Sequence, residues 1–137
     1  MKIAIIGGGA AGFFAAVNIK EFNPQADVTI FERNSQPLKK VALTGGGRCN
    51  LTNSFENVNN LARVYPRCEN LIKRAFSVFN YKDTFEWFEN HGIKLTVQDD
   101  CCVFPKSQNA MEIVDIENLI INPITKSHIL FIEMAKL

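Results

Sequence analysis

The feature that most constrains this chain is its opening, Lys2-Ile3-Ala4-Ile5-Ile6-Gly7-Gly8-Gly9-Ala10-Ala11-Gly12. A short apolar run leads straight into glycines, and Gly7, Gly9 and Gly12 fit the spacing G-x-G-x-x-G. The spacing has a mechanical meaning. The first glycine permits a tight turn from strand to helix. At the second, a side chain would hold a pyrophosphate away from the backbone. The third lets the helix pack close to the strand. The N-terminus of that helix then offers unpaired N–H groups and a partial positive charge to a phosphate. The pattern is widespread, so its weight depends on what surrounds it.

The surroundings agree with it. Ile3 to Ile6 read as a continuous apolar strand, expected to be buried on both faces of a parallel sheet. A helix is expected from about Ala10 to Phe22, with Phe13, Phe14, Val17 and Ile19 as apolar cover and Lys20 and Glu21 facing water. Asn23-Pro24 stops it, because proline disfavours helix in the preceding residue. Asp27 to Glu32 form the second strand, completing a unit of about thirty residues that suits a right-handed βαβ crossover. Glu32 lies about twenty residues past the turn, where an acid can accept both hydroxyl protons of an adenosine ribose. The plainer alternative is a solvated glutamate closing a strand. Arg33 follows and could suggest a 2′-phosphate, but Glu32 would repel that group, which favours a plain ribose.

With 137 residues the chain is long enough for one domain with a real core. Its net charge of +1 gives no reason to invoke nucleic acid or an anionic membrane as partner. The apolar runs are too short to span a bilayer. Cys49, Cys68, Cys101 and Cys102 match no common zinc spacing, so no metal site is expected, and reduced thiols in the cytoplasm are the default.

Ser35 to Lys40 read as a polar loop containing Pro37. Next comes Val41-Ala42-Leu43-Thr44-Gly45-Gly46-Gly47-Arg48-Cys49-Asn50-Leu51-Thr52-Asn53. Three successive glycines open backbone conformations closed to other residues. Hydrogen-bonding side chains surround them, which suggests a second phosphate- or ring-binding loop; the alternative is a flexible turn stabilised by Asn and Thr. Arg48 could place a charge near phosphate or an electron-rich ring. Cys49 could be a redox thiol, but no second cysteine stands at C-x-x-C spacing, which favours a small packed residue.

At this point the chain resembles a known family. The Gly7–Gly12 turn, Glu32-Arg33-Asn34, Lys39-Lys40 and Thr44-Gly45-Gly46-Gly47-Arg48-Cys49-Asn50-Leu51-Thr52-Asn53 resemble the BaiN-like flavoproteins, NAD(P)/FAD-dependent oxidoreductases also called the aminoacetone oxidase family. Phe76 to Phe79, Asp83 to Trp87-Phe88, His91-Gly92-Ile93 and Val103-Phe104-Pro105-Lys106-Ser107 fall in the family's order. The resemblance covers about residues 1 to 114 and implies a Rossmann-like FAD-binding βαβ unit with a parallel sheet, a helical segment and a β-hairpin. It implies non-covalent FAD, with Gly7, Gly9, Ala10, Ala11, Gly12, Glu32 and Arg33 toward the adenosine and pyrophosphate. Lys40, Thr44, Gly45, Gly46, Gly47, Arg48, Cys49 and Asn50 are then expected beside the cofactor. NAD(P)H is the implied electron donor and a small molecule the implied substrate; no residue announces itself as catalytic acid or base. Phe104-Pro105 and Ser107 are implied near the flavin region, or else close a strand.

The remainder carries less chemistry. Leu71, Ile72, Ala75, Phe76 and Phe79 recur at helical spacing, and Asp83 opens a second helix carrying Phe85 and Phe88. This aromatic stripe is expected in the core rather than on a cofactor. Gly92 suits a left-handed helix end, and His91 a charge interaction with that end. Ile93 to Val97 and Cys101 to Phe104 form a hairpin, with Cys101 where relatives tend to carry glycine in the turn. A helix is expected from Ala110 to about Ile121, broken by Asn122-Pro123. Family members are longer, so residues 115–137 are expected to be an atypical, truncated or frameshifted tail on an incomplete fold. An exposed sheet edge would then invite self-association. Two other readings stay open: a non-catalytic dinucleotide-binding fragment, and an NAD(P)-only Rossmann domain, against which the second glycine loop argues.

Overall fold

The apolar run at the N-terminus becomes strand β1 (Lys2–Ile6), which pairs in parallel with β2 (Asp27–Glu32) in the register Ile3 to Val28 and Ile5 to Ile30. Between them runs helix α1 (Ala10–Phe22), so the βαβ expectation holds, with β1 starting one residue earlier than expected. These elements belong to a computed structural model that describes residues 1–121 and 128–131. The chain continues through α2 (Lys39–Gly47), β3 (Thr52–Asn53), α3 (Leu61–Val64), α4 (Glu69–Phe76) and α5 (Tyr81–Asn90). It ends with β4 (Leu95–Val97), β5 (Cys102–Pro105), α6 (Ala110–Ile121) and β6 (His128–Phe131). One sheet has the order β1-β2-β6, all parallel; the other is antiparallel, in the order β3-β5-β4. The α/β, Rossmann-like class expected from the opening is the one observed.

The core lies where α1 and α6 meet the sheet: Phe13 and Val17 from α1, Val28 and Ile30 from β2, and Ile113 from α6 are all buried. Alternation along β2 puts Val28, Ile30 and Glu32 on this covered face. The opposite face is open. Ala4 is exposed, Ile6 is 80% exposed, and their register partners Thr29 and Phe31 are half-buried. This corrects the expectation that β1 is buried on both faces: among the described residues, only one face of the sheet has helices on it.

Lys20 is a second correction. It was expected in water and is buried, its ammonium donating to the carbonyls of Pro24 and Ala26 at 2.8 Å each. The long stem crosses the core edge and the head closes the loop between α1 and β2. Periodicity cannot reveal this, because the two acceptors are backbone atoms.

Downstream, α5 begins at a capping box. Asn80 accepts from the Lys82 N–H at 2.8 Å, and Asp83 accepts from the Asn80 N–H at 2.7 Å. It ends with the Gly92 N–H on the Glu89 carbonyl and the Ile93 N–H on the Phe88 carbonyl, a Schellman arrangement. His91 serves that helix end as expected: Nδ1 lies 2.6 Å from the Trp87 carbonyl and Nε2 2.6 Å from Glu21. The aromatic stripe is only partly core. Trp87 and Phe88 are buried, but α4 has no buried residue and stops before Phe79. The hairpin forms as expected, with Cys101 at φ +63°, the left-handed conformation that glycine would take more cheaply.

At the tail, α6 spans the point where the atypical segment was expected to begin, and β6 adds a strand beside β2. Asn122-Pro123 lies outside the described residues. No helix among the described residues is long and apolar enough to cross a membrane.

The tightest of the glycine positions is Gly12, where a Cβ would stand 2.0 Å from the Gly7 carbonyl oxygen. Gly12→Ala is therefore expected to push α1 off the turn and cost about 1–3 kcal/mol or more, the usual range for overpacking. Urea unfolding measures this; an unchanged midpoint would mean that helix and turn are not in contact.

Candidate cofactor site

The site is built around the end of β2. Glu32 Oε2 accepts from the Gly8 N–H at 2.6 Å; Oε1 accepts from the Asn34 N–H at 2.7 Å and from Asn34 Nδ2 at 2.6 Å. The carboxylate is buried, not the solvated strand end of the plainer reading. Its pKa is held below the ordinary value, chiefly by the Asn34 N–H and then by the Gly8 N–H, against an opposing push from burial. A carboxylate oxygen has two acceptor positions. Oε1 has both filled, so Oε2 keeps one for a further donor.

The turn is fixed from three sides. The Gly7 N–H donates to Phe31 and the Leu38 N–H to Gly8, both at 2.7 Å. Leu38 does this from a left-handed backbone (φ +56°) while buried, a strained conformation for a branched residue. Helix α1 starts at Gly9 with no side chain capping it and no acid in its first turn. Its first amides are thus left for a ligand. A Cβ at Gly9 would meet nothing, which matches a backbone kept bare for something that approaches from outside.

This turn borders a cavity of about 680 Å³, within the usual range for ligand sites. Of the expected residues, Gly9, Ala10, Ala11, Glu32, Lys40, Thr44, Cys49 and Asn50 line it. Gly7 and Gly12 shape the turn behind it. Arg33 is exposed and off the wall. Sequence reasoning missed the apolar side, formed by Phe14, Leu38, Phe79, Phe88 and Ile113, and the partner Asn34. Phe14 and Phe88 carry a helical signal that reads equally as core; Leu38 carries none.

The second glycine loop sits differently from expectation. Residues 35–40 are not all loop, since α2 starts at Lys39, and Val41 to Leu43 are helical. The helix breaks at Thr44 (ψ 151°), and Gly45, Gly46 and Gly47 all have positive φ. A Cβ on Gly45 would come 2.8 Å from the Phe104 ring and 2.9 Å from the Asn50 N. Arg48 turns away from the cavity wall. Its Nε donates to the Gly45 carbonyl at 3.0 Å, Nη1 reaches Gln98 and Gln108, and the guanidinium lies 4.3 Å over Phe104. Gly45, Gly46 and Gly47 likewise stay off the wall. Phe104 thus supports the loop from beneath, while Ser107 is exposed and hydrogen-bonds Glu112. None of the four cysteines is in a disulfide, and Cys49 is buried.

Fold and cavity together define a Rossmann-type dinucleotide-binding unit. A family model described as the HI0933-like protein Rossmann domain matches residues 1–133, and the chain belongs to that family, the BaiN-like FAD-dependent oxidoreductases. The match reaches past residue 114, where the visible resemblance ends. The chain is 33% identical over 116 residues to the 3-dehydro-bile acid delta(4,6)-reductase of Clostridium scindens, covering 84% of this chain and 27% of that protein. It is 30% identical over 89 residues to the ribosomal RNA dihydrouridine synthase of Escherichia coli, covering 65% of this chain and 21% of that protein. The chain thus spans about a quarter of the length of these curated relatives.

The Glu32 geometry sets a pH dependence. Because its folded pKa lies below the ordinary 4.5, its contribution to stability is complete above that value and is lost as the pH falls through the folded value. Glu32→Gln removes the charge from these hydrogen bonds, each worth about 1.5–3 kcal/mol. The stability gap between wild type and Glu32→Gln, from urea unfolding, is expected to narrow as the pH falls below about 4.5. A gap independent of pH would mean that the carboxylate is not held ionised by its partners.

Proposed function

We propose that this chain supplies the FAD-binding part of an NAD(P)H-dependent reductase. The observation that carries the reading is the convergence of an uncapped helix start and a buried, ionised Glu32 on one cavity. The residues suit the cofactor. The amides of Gly9, Ala10 and Ala11 bind the pyrophosphate, helped by the helix dipole. The free acceptor position on Glu32 Oε2 takes a ribose hydroxyl, and the charge disfavours a 2′-phosphate there. Lys40 adds positive charge at the rim, while Phe14, Phe88 and Ile113 exclude water from the apolar side. The bound flavin would supply hydride transfer, with NAD(P)H as donor.

Arg33 and Arg48 enter this reading only as charges outside the cavity wall. A cytoplasmic setting, where cysteines stay reduced, suits it. The relatives' names give two different substrates, a bile acid and ribosomal RNA, yet both describe reductions, since dihydrouridine is uridine with two added hydrogens. A small-molecule substrate is the simplest form of the reading.

The test is the absorbance spectrum of the purified chain. Stoichiometric flavin that bleaches on adding NADH or NADPH is the expected result. Flavin without bleaching would reduce the chain to a binding fragment, and uptake of NAD but not FAD would overturn the reading. Glu32→Ala is expected to weaken FAD binding by about 1–3 kcal/mol, read by titration of flavin fluorescence; unchanged affinity would remove Glu32 from the site.

A further inference from the structure

The donors around the Glu32 carboxylate are unevenly divided between its two oxygens. An ionised carboxylate carries about four acceptor positions, two on each oxygen. Both positions on Oε1 are filled by a single residue, through the Asn34 N–H at 2.7 Å and Asn34 Nδ2 at 2.6 Å. Oε2 accepts from the Gly8 N–H at 2.6 Å. The Arg33 N–H draws on the carboxylate too, as the weakest of its contacts. One position is left, on Oε2.

An acid at the end of the second strand can in general take both hydroxyls of an adenosine ribose. Asn34 prevents that here. It stands two places after Glu32, which brings its main-chain and side-chain N–H groups onto the same oxygen. An amide on a one-carbon stem suits this grip: aspartate has no donor there, and glutamine is a carbon longer. The main-chain bond is set by the course of the loop. The Nδ2 bond belongs to the side chain alone, and it is the one that closes Oε1. Gly8, Glu32 and Asn34 all line the cavity, and Asn34 is exposed, so its side chain competes with a ligand for Oε1. On the other side the carboxylate lies against bare backbone, since a Cβ on Gly8 would stand 3.2 Å from Oε2.

We infer that Asn34 makes Glu32 a one-hydroxyl acceptor, so that the site reads a single hydroxyl of the adenosine ribose and leaves the other without a carboxylate partner. The inference rests on the FAD reading above, which puts an adenosine in the cavity. Asn34 is on this account a positioning residue: it acts on the ligand through the acid it holds. Removing its side chain has an unusual consequence. The Asn34 N–H remains, one position on Oε1 opens, and Glu32 becomes able to take both hydroxyls.

The experiment is isothermal titration calorimetry of the 137-residue chain, freed of any copurified flavin, with ADP, 2′-deoxy-ADP and 3′-deoxy-ADP. ADP is the portion of FAD that the turn and Glu32 would hold. On the wild type, one deoxy analogue is expected to bind about ten-fold or more weaker than ADP, the loss of a hydrogen bond to a charged group. The other is expected to bind much as ADP does. This comparison needs no variant. On Asn34→Ala, ADP is expected to bind more tightly than on the wild type, by up to about ten-fold, and both analogues to fall behind it. A side chain that merely supported the fold would do the reverse and weaken all three nucleotides alike. Circular dichroism and the urea midpoint check the fold of the variant. Equal losses for the two analogues on the wild type overturn the inference. So does uniform weakening, or an unchanged asymmetry, on Asn34→Ala. A chain that binds neither ADP nor FAD overturns the FAD reading and the inference with it, whereas FAD binding with equal losses for the two analogues overturns the inference alone.

Discussion

The structure depends most on the Glu32 carboxylate. It ties the end of β2 to the backbone of the first turn through Gly8 and to the start of the next loop through Asn34. A buried carboxylate is costly unless its oxygens are filled, and here three donors fill three of its four acceptor positions. This bond set also explains Gly8, the middle glycine that the G-x-G-x-x-G spacing does not require. A Cβ there would stand 3.1 Å from the Glu32 side chain. Gly8 therefore accommodates the acid, whereas Gly12 accommodates the turn.

The second loop obeys a different constraint. Three positive-φ glycines fold the chain back at the end of α2, and the Phe104 ring fills the space that a Gly45 side chain would need. Arg48 closes the arrangement by lying over the same ring and bonding back to Gly45. The loop thereby joins the antiparallel hairpin to the Rossmann half, while Thr44, Cys49 and Asn50 at its two ends reach the cavity. Most of the segment's conspicuous residues build this junction, and only its ends face the site.

How much could be read in advance follows from the range of the interactions. The βαβ unit was legible because each step is local: an apolar strand, glycines at fixed spacing, a proline stop and an acid at the next strand end. Helix α5 was legible for the same reason, through Asp83 and Gly92. Lys20 was not, because its partners are carbonyls whose direction depends on the following loop. The two-residue β3 was not, because it exists only by pairing with β5. In the site, the backbone-reading part around Gly9 and Glu32 was visible, and the apolar wall was not. Phe14, Phe88 and Ile113 come from three helices, and a residue on a helix face gives no sign of whether a neighbour or a ligand covers it.

The same reasoning bears on the open face of the sheet. An unbroken run such as Ile3 to Ile6 is the signature of a strand covered on both sides. Among the described residues β1 is an edge strand, and no described element covers its Ala4 and Ile6 side. Of the usual defences of an edge against pairing, β1 has its short length and the exposed Lys2 at its start. The composition of β1 therefore records a demand for a second layer that α1 and α6, both on the other face, do not meet. The cavity shows no such deficit near Glu32, where turn, strand and α2 close around the carboxylate. The cavity-facing side of this Rossmann unit is thus organised by local bonds within the first 38 residues, and the opposite side by contacts those residues do not contain.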